Sequence, residues 1–301
     1  MNDKFEFIDA EYATPDPVGP APNVAQMCSW LGVSKSGFYD WRSRPTSVTA
    51  ARRRVLAVKV KVLFERSHRT YGHRRIHAEL LRGGERVGVE LVRRLMREQD
   101  LHPCQPRPYK TTTIRGHQPE PAAEDLVRRD FTAAAPGTTL VGDITYIPTW
   151  QGWLYLATVI DCFNREVIGY ATAEHMRTDL VIDALQMAAR NHQLQPGCVF
   201  HSDHGSQYTS GEFRATLKGL DMRPSLGRMG ICFDNALAES FNGVLKTELV
   251  HRTVYQTRKK AAQDIARYIE LFYNRRRLHS ALGYRTPHEV RTAHLNQQAV
   301  A

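Results

Sequence analysis

The stretch from Val199 to Leu249 constrains the fold most strongly, because it joins a strand and a helix that each contribute a carboxylate. A short apolar, β-branched run leads into Asp203 and a glycine, which predicts a buried strand that opens into a loop. From Asn235 to Leu249, apolar residues recur at helical spacing and predict one buried helix face. At about 100° per residue, the opposite face of that helix carries Glu239, Asn242 and Lys246.

A third carboxylate, Asp143, lies upstream in the β-rich run 140–147. If that run pairs with the strand before Asp203, the two aspartates lie side by side. Carboxylate oxygens suit Mg²⁺ or Mn²⁺ better than zinc, which prefers His and Cys. A pair of such ions about 4 Å apart activates the attacking oxygen and neutralises the leaving oxygen in displacement at phosphorus. The three carboxylates therefore indicate cleavage or transfer of phosphodiesters.

The order of these carboxylates resembles the DDE transposase and retroviral-integrase superfamily. Thirty-five residues separate Asp203 from Glu239, and Lys246 follows seven residues after the glutamate, as in that superfamily. The chain is more closely similar to transposases of bacterial insertion sequences with two overlapping reading frames, and it resembles their second-frame, orfB-type product. The matching phrases are Tyr71–Ile76, Asp143–Tyr146, Ser202–Tyr208, Asp234–Ala236, Glu239–Phe241 and Ser280–Tyr284.

This resemblance implies a catalytic core like that of retroviral integrases. Asp143, Asp203 and Glu239 would be both the catalytic residues and the ligands of two Mg²⁺ ions, for which Mn²⁺ substitutes. Lys246 would lie near a DNA phosphate, and Asn242 would position DNA or the glutamate helix. The chain departs from the family at three positions. Val141 stands where an aromatic is usual, Met229 lies where a lysine is usual, and Leu278 replaces a proline.

The net charge of +10 and the pI near 9.5 favour a polyanionic partner, and double-stranded DNA is the first expectation. No apolar run approaches the roughly 20 residues that span a membrane, so no membrane partner is predicted. The five cysteines are scattered and form no Cys-x-x-Cys, which argues against a disulfide framework and a zinc module. A cytoplasmic protein, associated with the nucleoid when bound to DNA, is expected.

The chain is predicted to be an α/β protein, with a ribonuclease-H-like catalytic core, an all-helical N-terminal DNA-binding region and a helical C-terminal extension. Three β-rich runs joined by short turns predict an antiparallel meander, and alternating helices and strands follow it. The predicted parts are a disordered N-terminus at 1–23, a helical, helix-turn-helix-like DNA-binding region at 24–100, a proline-rich linker at 101–125, the integrase core at 126–250 and a basic helical extension at 251–301.

The segment from Arg42 to Arg97 holds 16 Lys or Arg against 4 Asp or Glu, a larger surplus than that of the whole chain. DNA is therefore predicted to bind there, through phosphate contacts or guanine edges. A loop before the glutamate helix is predicted to order on DNA. The residues predicted to contact DNA in these places are Arg74, Arg75, Arg93, Arg94 and Arg228.

The leading hypothesis is a transposase that binds the ends of its element, cleaves a phosphodiester and uses the 3′-hydroxyl for strand transfer. Assembly into homo-oligomers on DNA is expected, because joining two ends requires two bound ends. The resemblance further implies a first-frame partner protein or a frameshift fusion. Two alternatives stay open at this point: a DNA-binding repressor with an inactive core, and a ribonuclease-H-type nuclease.

Overall fold

The computed structural model describes residues 2–13, 23–45, 47–105, 124–227 and 235–300. The chain divides into two compact units, 1–59 and 60–301. The division falls within helix α4, so the helices that follow α4 belong to the same unit as the β-sheet. The helices are α1 (Asn2–Ala13), α2 (Val24–Trp30), α3 (Lys35–Ser43), α4 (Val48–Arg66), α5 (His73–Arg82), α6 (Val89–Glu98), α7 (Thr178–Asn191), α8 (Gly211–Gly219), α9 (Ala236–Glu248), α10 (Arg258–Arg267) and α11 (Pro287–Val300).

The first unit contains short helices with well-defined starts. Asn23 and Gln26 form a reciprocal capping box at the start of α2, and the Ser34 hydroxyl accepts the Gly37 N–H at the start of α3. The small core of this unit consists of Phe5, Ile8, Val24, Met27, Cys28 and Phe38, with Leu31, Val33 and Trp41 packed against it.

The N-terminus differs from its prediction of disorder over 1–23, because residues 2–13 form helix α1. Phe5 and Ile8 are three residues apart on this helix and are both buried in the small core. Asp9 pairs with Arg42 at 3.0 Å. The acidic, proline-rich composition favours disorder, but burial of these two apolar residues in the small core stabilises the helix. Residues 14–22, and residues 106–123 of the predicted linker, lie outside the described part of the chain.

The second unit is built on a five-stranded sheet in the order β3-β2-β1-β4-β5. The first three strands form an antiparallel meander, whereas β4 runs parallel to β1 and β5 runs parallel to β4. This is the ribonuclease-H-like order expected from the sequence. The strands are β1 (Thr139–Thr149), β2 (Gly152–Asp161), β3 (Val167–Ala173), β4 (Val199–Ser202) and β5 (Arg223–Leu226).

One face of the sheet packs against α7 and α8 around a large apolar cluster. Two glycines permit close packing in this cluster, one between strands and one between a strand and α7. A Cβ on Gly142 would overlap the ring of Phe200, and a Cβ on Gly169 would overlap the carbonyl of Ala184 on α7. The backbones of β3 and α7 therefore lie in direct contact, which only glycine allows at this position.

Helices α5 and α6 are joined to the C-terminal part of the chain. The Tyr71 hydroxyl accepts the N–H of Leu278 at 2.8 Å and donates to the carbonyl of Arg276 at 3.0 Å. Arg75 Nε donates to the carbonyl of Leu278 at 2.9 Å. A proline at position 278, the usual residue of the family, has no N–H and would lose the first of these hydrogen bonds.

The C-terminal extension is helical, as predicted, and it packs on the sheet. Helix α10 begins at the Thr257 cap and contacts β1 and β2, and Ile265 and Ile269 are fully buried. It continues into a π-helical turn, Tyr268–Tyr273. No helix in the described ranges is long and apolar enough to cross a membrane.

Candidate active site

Two of the three predicted carboxylates are brought together by strand register. Parallel pairing places Val141 of β1 opposite His201 of β4. Asp143 and Asp203 each follow these partners by two residues, so they continue the same register on the same face. Strand β4 ends at Ser202, and β1 runs on to Thr149. The two aspartates therefore lie next to each other where the shorter strand opens into a loop.

Two asparagines form hydrogen bonds between helix α9 and strand β1. Asn242 Nδ2 donates to Asp143 Oδ2 at 2.8 Å, and Asn235 Nδ2 donates to the carbonyl of Gly142 at 3.0 Å. Glu239 lies three residues before Asn242 on the same side of the helix and is exposed. The strand and the helix thus present the third carboxylate beside the first two.

Burial and the mutual repulsion of the negative charges raise the pKa of two of the three carboxylates. Burial and the charge of Asp203 raise the pKa of the half-buried Asp143 to about 7, against the lowering effect of the Asn242 hydrogen bond. Burial and the same Asp203 charge raise the pKa of Glu239. Mutual repulsion of this kind is relieved when a cation binds between the groups.

The donor set suits a hard divalent cation, because all three side chains offer carboxylate oxygens. The amide oxygens of Asn235 and Asn242 are also buried and have no hydrogen-bond partner among the described residues. Within the described ranges, no group of three His, Cys, Asp or Glu is arranged as a preformed metal site. One Asp203 oxygen instead accepts the Gly205 N–H at 3.0 Å.

Lys246 lies on α9 one turn beyond Asn242. Its ammonium is 4.6 Å from the centre of the Tyr146 ring, a cation–π contact. Burial lowers the pKa of Lys246, and the charge of Asp143 opposes that shift. Lys246 therefore belongs to the electrostatic environment of the carboxylates, where its predicted role is to contact a DNA phosphate.

Two other aspartates have structural contacts. Asp161 is buried and accepts the N–H groups of Gly137 at 2.8 Å and Phe163 at 2.9 Å. Asp179 lies in the first turn of α7 and pairs with Arg177 at 3.5 Å. Both aspartates therefore have structural roles. His201, beside the site, bonds the Ser225 hydroxyl through Nδ1 at 2.8 Å.

The arginines predicted to contact DNA have different surroundings. Arg74, Arg93 and Arg94 are exposed, and Arg93 pairs with Glu90 at 2.9 Å. Arg75 is half-buried and bonds the carbonyl of Leu278 within the protein. Their contact with DNA stays a prediction. Arg228 lies outside the described residues, as does the rest of 228–234, where the loop was predicted to order on DNA.

A buried ion pair lies at the end of α9, and it involves the last of the three consecutive arginines at 275–277. Arg277 is buried and binds both oxygens of Glu248, the last residue of α9, at 2.7 to 3.1 Å. The hydroxyl of Tyr268 donates to the same carboxylate at 2.7 Å. Arg275 and Arg276 are exposed. The alternation of exposed and buried arginines gave no local signal, because the partner lies 29 residues away.

Comparison with known protein families identifies three matching regions. Residues 133–232 and 220–287 match two models that are both described as an integrase core domain. Residues 50–109 match an HTH-like domain. The core matches include all three carboxylates, and the HTH-like match includes α5 and α6.

Individual relatives cover nearly the whole chain. The uncharacterized 31 kDa protein of insertion element IS600 from Shigella sonnei is 39% identical over 87% of this chain and 96% of its own length. Transposase InsF of insertion sequence IS3A from Escherichia coli K12 is 36% identical over 91% of this chain and 95% of its own length. A solved structure of the HTLV-2 integrase catalytic core with magnesium is 16% identical, covers 52% of this chain and 98% of that chain, and has a TM-score of 0.42.

Proposed function

Because the chain belongs to the insertion-sequence transposases that include InsF of IS3, and is a DDE polynucleotidyl transferase, we propose that Asp143, Asp203 and Glu239 are its catalytic residues. The observation that carries this proposal is the register of β1 with β4, which aligns the two aspartates. The hydrogen bond from Asn242 to Asp143 holds α9, the helix that carries Glu239, next to β1. The reaction is hydrolysis of a phosphodiester at each element end. The freed 3′-hydroxyl then attacks a phosphodiester of the target DNA, which joins the element strand to the target and releases a target 3′-hydroxyl.

The same three carboxylates are proposed to hold Mg²⁺, with Mn²⁺ as a substitute and two ions in the working site. Support comes from the oxygen donors and from the raised pKa values of Asp143 and Glu239, which reflect an excess of negative charge. When bound, the ions supply Lewis-acid activation of the attacking oxygen and neutralise the leaving oxygen. Asp203 and Glu239 are exposed, so their side chains are free to turn toward a common ligand.

The other polar residues of the site orient the carboxylates and the DNA. Asn242 fixes the direction of the Asp143 carboxylate, because one amide hydrogen occupies one carboxylate oxygen. Lys246 supplies a positive charge beside a negatively charged site and is proposed to hold a phosphate next to the cleaved bond. Arg74, Arg93 and Arg94 are proposed to contact the phosphates of the element's terminal repeats.

The proposed partners follow from the reaction. Two element ends and a target require several DNA segments at once, so we propose that the protein works as a homo-oligomer on DNA. A first-frame partner protein, or a fusion to it, is proposed to supply further recognition. The proposed location is the bacterial cytoplasm, at the nucleoid when DNA is bound.

The test is nicking and joining of a duplex that carries the gene's own flanking ends, with Mg²⁺, Mn²⁺ or EDTA. We expect metal-dependent products from the wild type and a loss of roughly 100-fold or more in Asp203→Asn and Glu239→Gln, in line with removal of a group that stabilises transition-state charge. Asp179→Asn, at the start of α7, is the matched control and should keep wild-type activity. Equal activity in all variants would refute the assignment of these residues.

A further inference from the structure

An exposed aromatic cluster lies on the β1–β2 hairpin, close to the carboxylates. Tyr146 is 54% exposed and Trp153 is 48% exposed, and their rings meet edge to face with centres 5.0 Å apart. Trp150, in the turn between the strands, is 72% exposed. A single exposed aromatic is ordinary on a protein surface, whereas several on one hairpin mark a binding surface.

This hairpin is held firmly by the C-terminal extension. The Trp150 N–H donates to the carbonyl of Tyr255 at 3.0 Å. Arg258, in the first turn of α10, donates from Nε to the carbonyl of Trp153 at 3.0 Å and pairs with Glu174 at 2.7 Å. The aromatic rings are therefore displayed by an anchored element and are not exposed for lack of local structure. Recognition sites on such elements are better defined than sites on loops.

The cluster is continuous with the proposed active site. Tyr146 follows Asp143 by three residues on β1, about 10 Å along the strand. The Lys246 ammonium lies over the Tyr146 ring, and Lys246 shares α9 with Asn242, which bonds Asp143. Side chains alternate along a strand, so Tyr146 points to the opposite face of β1 from Asp143. Lys246 links the two, since it contacts the Tyr146 ring and feels the charge of Asp143.

We propose that Tyr146 and Trp153 form a stacking surface for one unpaired DNA base beside the cleaved phosphodiester, with Lys246 on the adjoining phosphate. This inference rests on the proposed function. Aromatic side chains stack on bases without regard to sequence, and a neighbouring cation holds the strand's phosphate. A base that leaves the duplex to stack on these rings would expose the end of the strand to the carboxylates.

The first experiment measures contact and needs no catalysis. Duplexes that carry 5-iodouracil at single positions around the cleavage site are bound to the full-length protein without metal and irradiated, and the crosslinked peptide is identified by mass spectrometry. We expect an adduct on Tyr146 or Trp153 from positions next to the cleaved bond. We expect Tyr146→Phe to keep the adduct pattern of the cluster and the double variant Tyr146→Ala/Trp153→Ala to lose it. Adducts confined to other residues would overturn the proposal.

The second experiment measures the use of the surface in cleavage. On fully paired ends, Tyr146→Ala should cleave about tenfold or more slowly than the wild type, in line with the loss of one base stack. On ends with mismatches beside the cleaved bond, the base is already unpaired, so no free energy is needed to unpair it. The ratio of the wild-type rate to the Tyr146→Ala rate should therefore be roughly threefold or more smaller on these ends. Tyr146→Phe keeps the ring, so its defect on paired ends should be smaller than that of Tyr146→Ala.

An equal defect of Tyr146→Ala on paired and mismatched ends would overturn the proposal, as would a change of oligomeric state in that variant, which would make the surface a protein interface. If the wild type cleaves neither duplex, the proposed function fails, while the metal-free crosslinks still decide the stacking surface. Thermal unfolding of each variant confirms that the hairpin has folded.

Discussion

At the scale of single residues, Arg74 and Arg75 are neighbours in sequence with opposite surroundings. Arg74 is exposed, whereas Arg75 bonds the Leu278 carbonyl. We expect Arg74→Ala to leave the unfolding free energy unchanged and to reduce the salt dependence of duplex binding by about one phosphate contact.

We expect Arg75→Ala to lower the unfolding free energy by about 1–3 kcal/mol, because a part-buried carbonyl loses its donor. Urea unfolding and salt titrations of binding measure the two effects, and exchanged outcomes would contradict both assignments.

Gly169 marks the place where α7 touches the sheet. A Cβ there would overlap the Ala184 carbonyl and lie 2.7 Å from the Ala188 nitrogen, so the helix would have to move. We expect Gly169→Ala to destabilise the protein by about 1–3 kcal/mol through overpacking. A Cβ on Gly219, at the end of α8, would meet no neighbouring element within 4 Å among the described residues, so Gly219→Ala is the matched control. Chemical denaturation of both variants gives the comparison, and equal stability would refute the close packing.

At the scale of elements, the sequence determines most of the core because its patterns are local. The runs predicted at 140–147 and 199–202 appear as Thr139–Thr149 and Val199–Ser202, and the glutamate helix predicted at 235–249 appears as Ala236–Glu248. Apolar alternation and helical spacing are set by neighbours within a few positions, so they are readable from one chain. The three carboxylates Asp143, Asp203 and Glu239 could be predicted because each lies in such a local pattern and because their order resembles that of the family.

Contacts between distant parts of the chain could not be read in this way. The Tyr71 hydroxyl meets Leu278 across 207 positions, and Arg277 meets Glu248 across 29. Neither pair follows a period, and Tyr71 and Arg277 alone would fit an exposed, DNA-facing role equally well. Helix α1 was also missed, because its buried residues are stabilised by α2 and α3, and its own sequence is acidic.

The ion pair at the end of α9 is expected to contribute to the free energy of unfolding. Glu248→Gln leaves the buried Arg277 without its counter-charge, and we expect a loss of about 3–5 kcal/mol in unfolding free energy. The double variant Glu248→Leu/Arg277→Met removes both charges and should recover much of that loss. Guanidinium unfolding of the two variants and the wild type measures it. A double variant that is less stable than Glu248→Gln would contradict this account.

At the scale of the whole molecule, acid stability depends on buried histidines. Burial and the charges of Arg277 and Arg75 lower the pKa of His279 to about 3, so it stays neutral in the folded protein. The unfolded chain takes up a proton below the ordinary pKa of 6.5. Between pH 6.5 and 3 the unfolded state therefore binds more protons, and stability falls with falling pH by about 1.4 kcal/mol per unit from this residue.

His279→Gln removes that dependence. Relative to the wild type, the variant should gain stability steadily as the pH falls from about 6.5 to about 4, whatever its stability at neutral pH. Denaturant unfolding at closely spaced pH values measures the difference. The comparison cancels the carboxyl groups with raised pKa values, Asp143 and Asp161, which shift stability in the opposite direction in both proteins. A constant difference across this range would show that His279 titrates normally.

The pairing of Arg277 with Glu248 also bears on how degraded copies of such genes are recognised. A frameshift or stop codon between positions 250 and 276 leaves Asp143, Asp203 and Glu239 intact, together with the motifs that surround them. The shortened product would nevertheless lack the arginine that pairs with the Glu248 carboxylate. A genome survey that scores only the triad would count such a gene as intact, whereas one that also requires the distal arginine would count it as a relic.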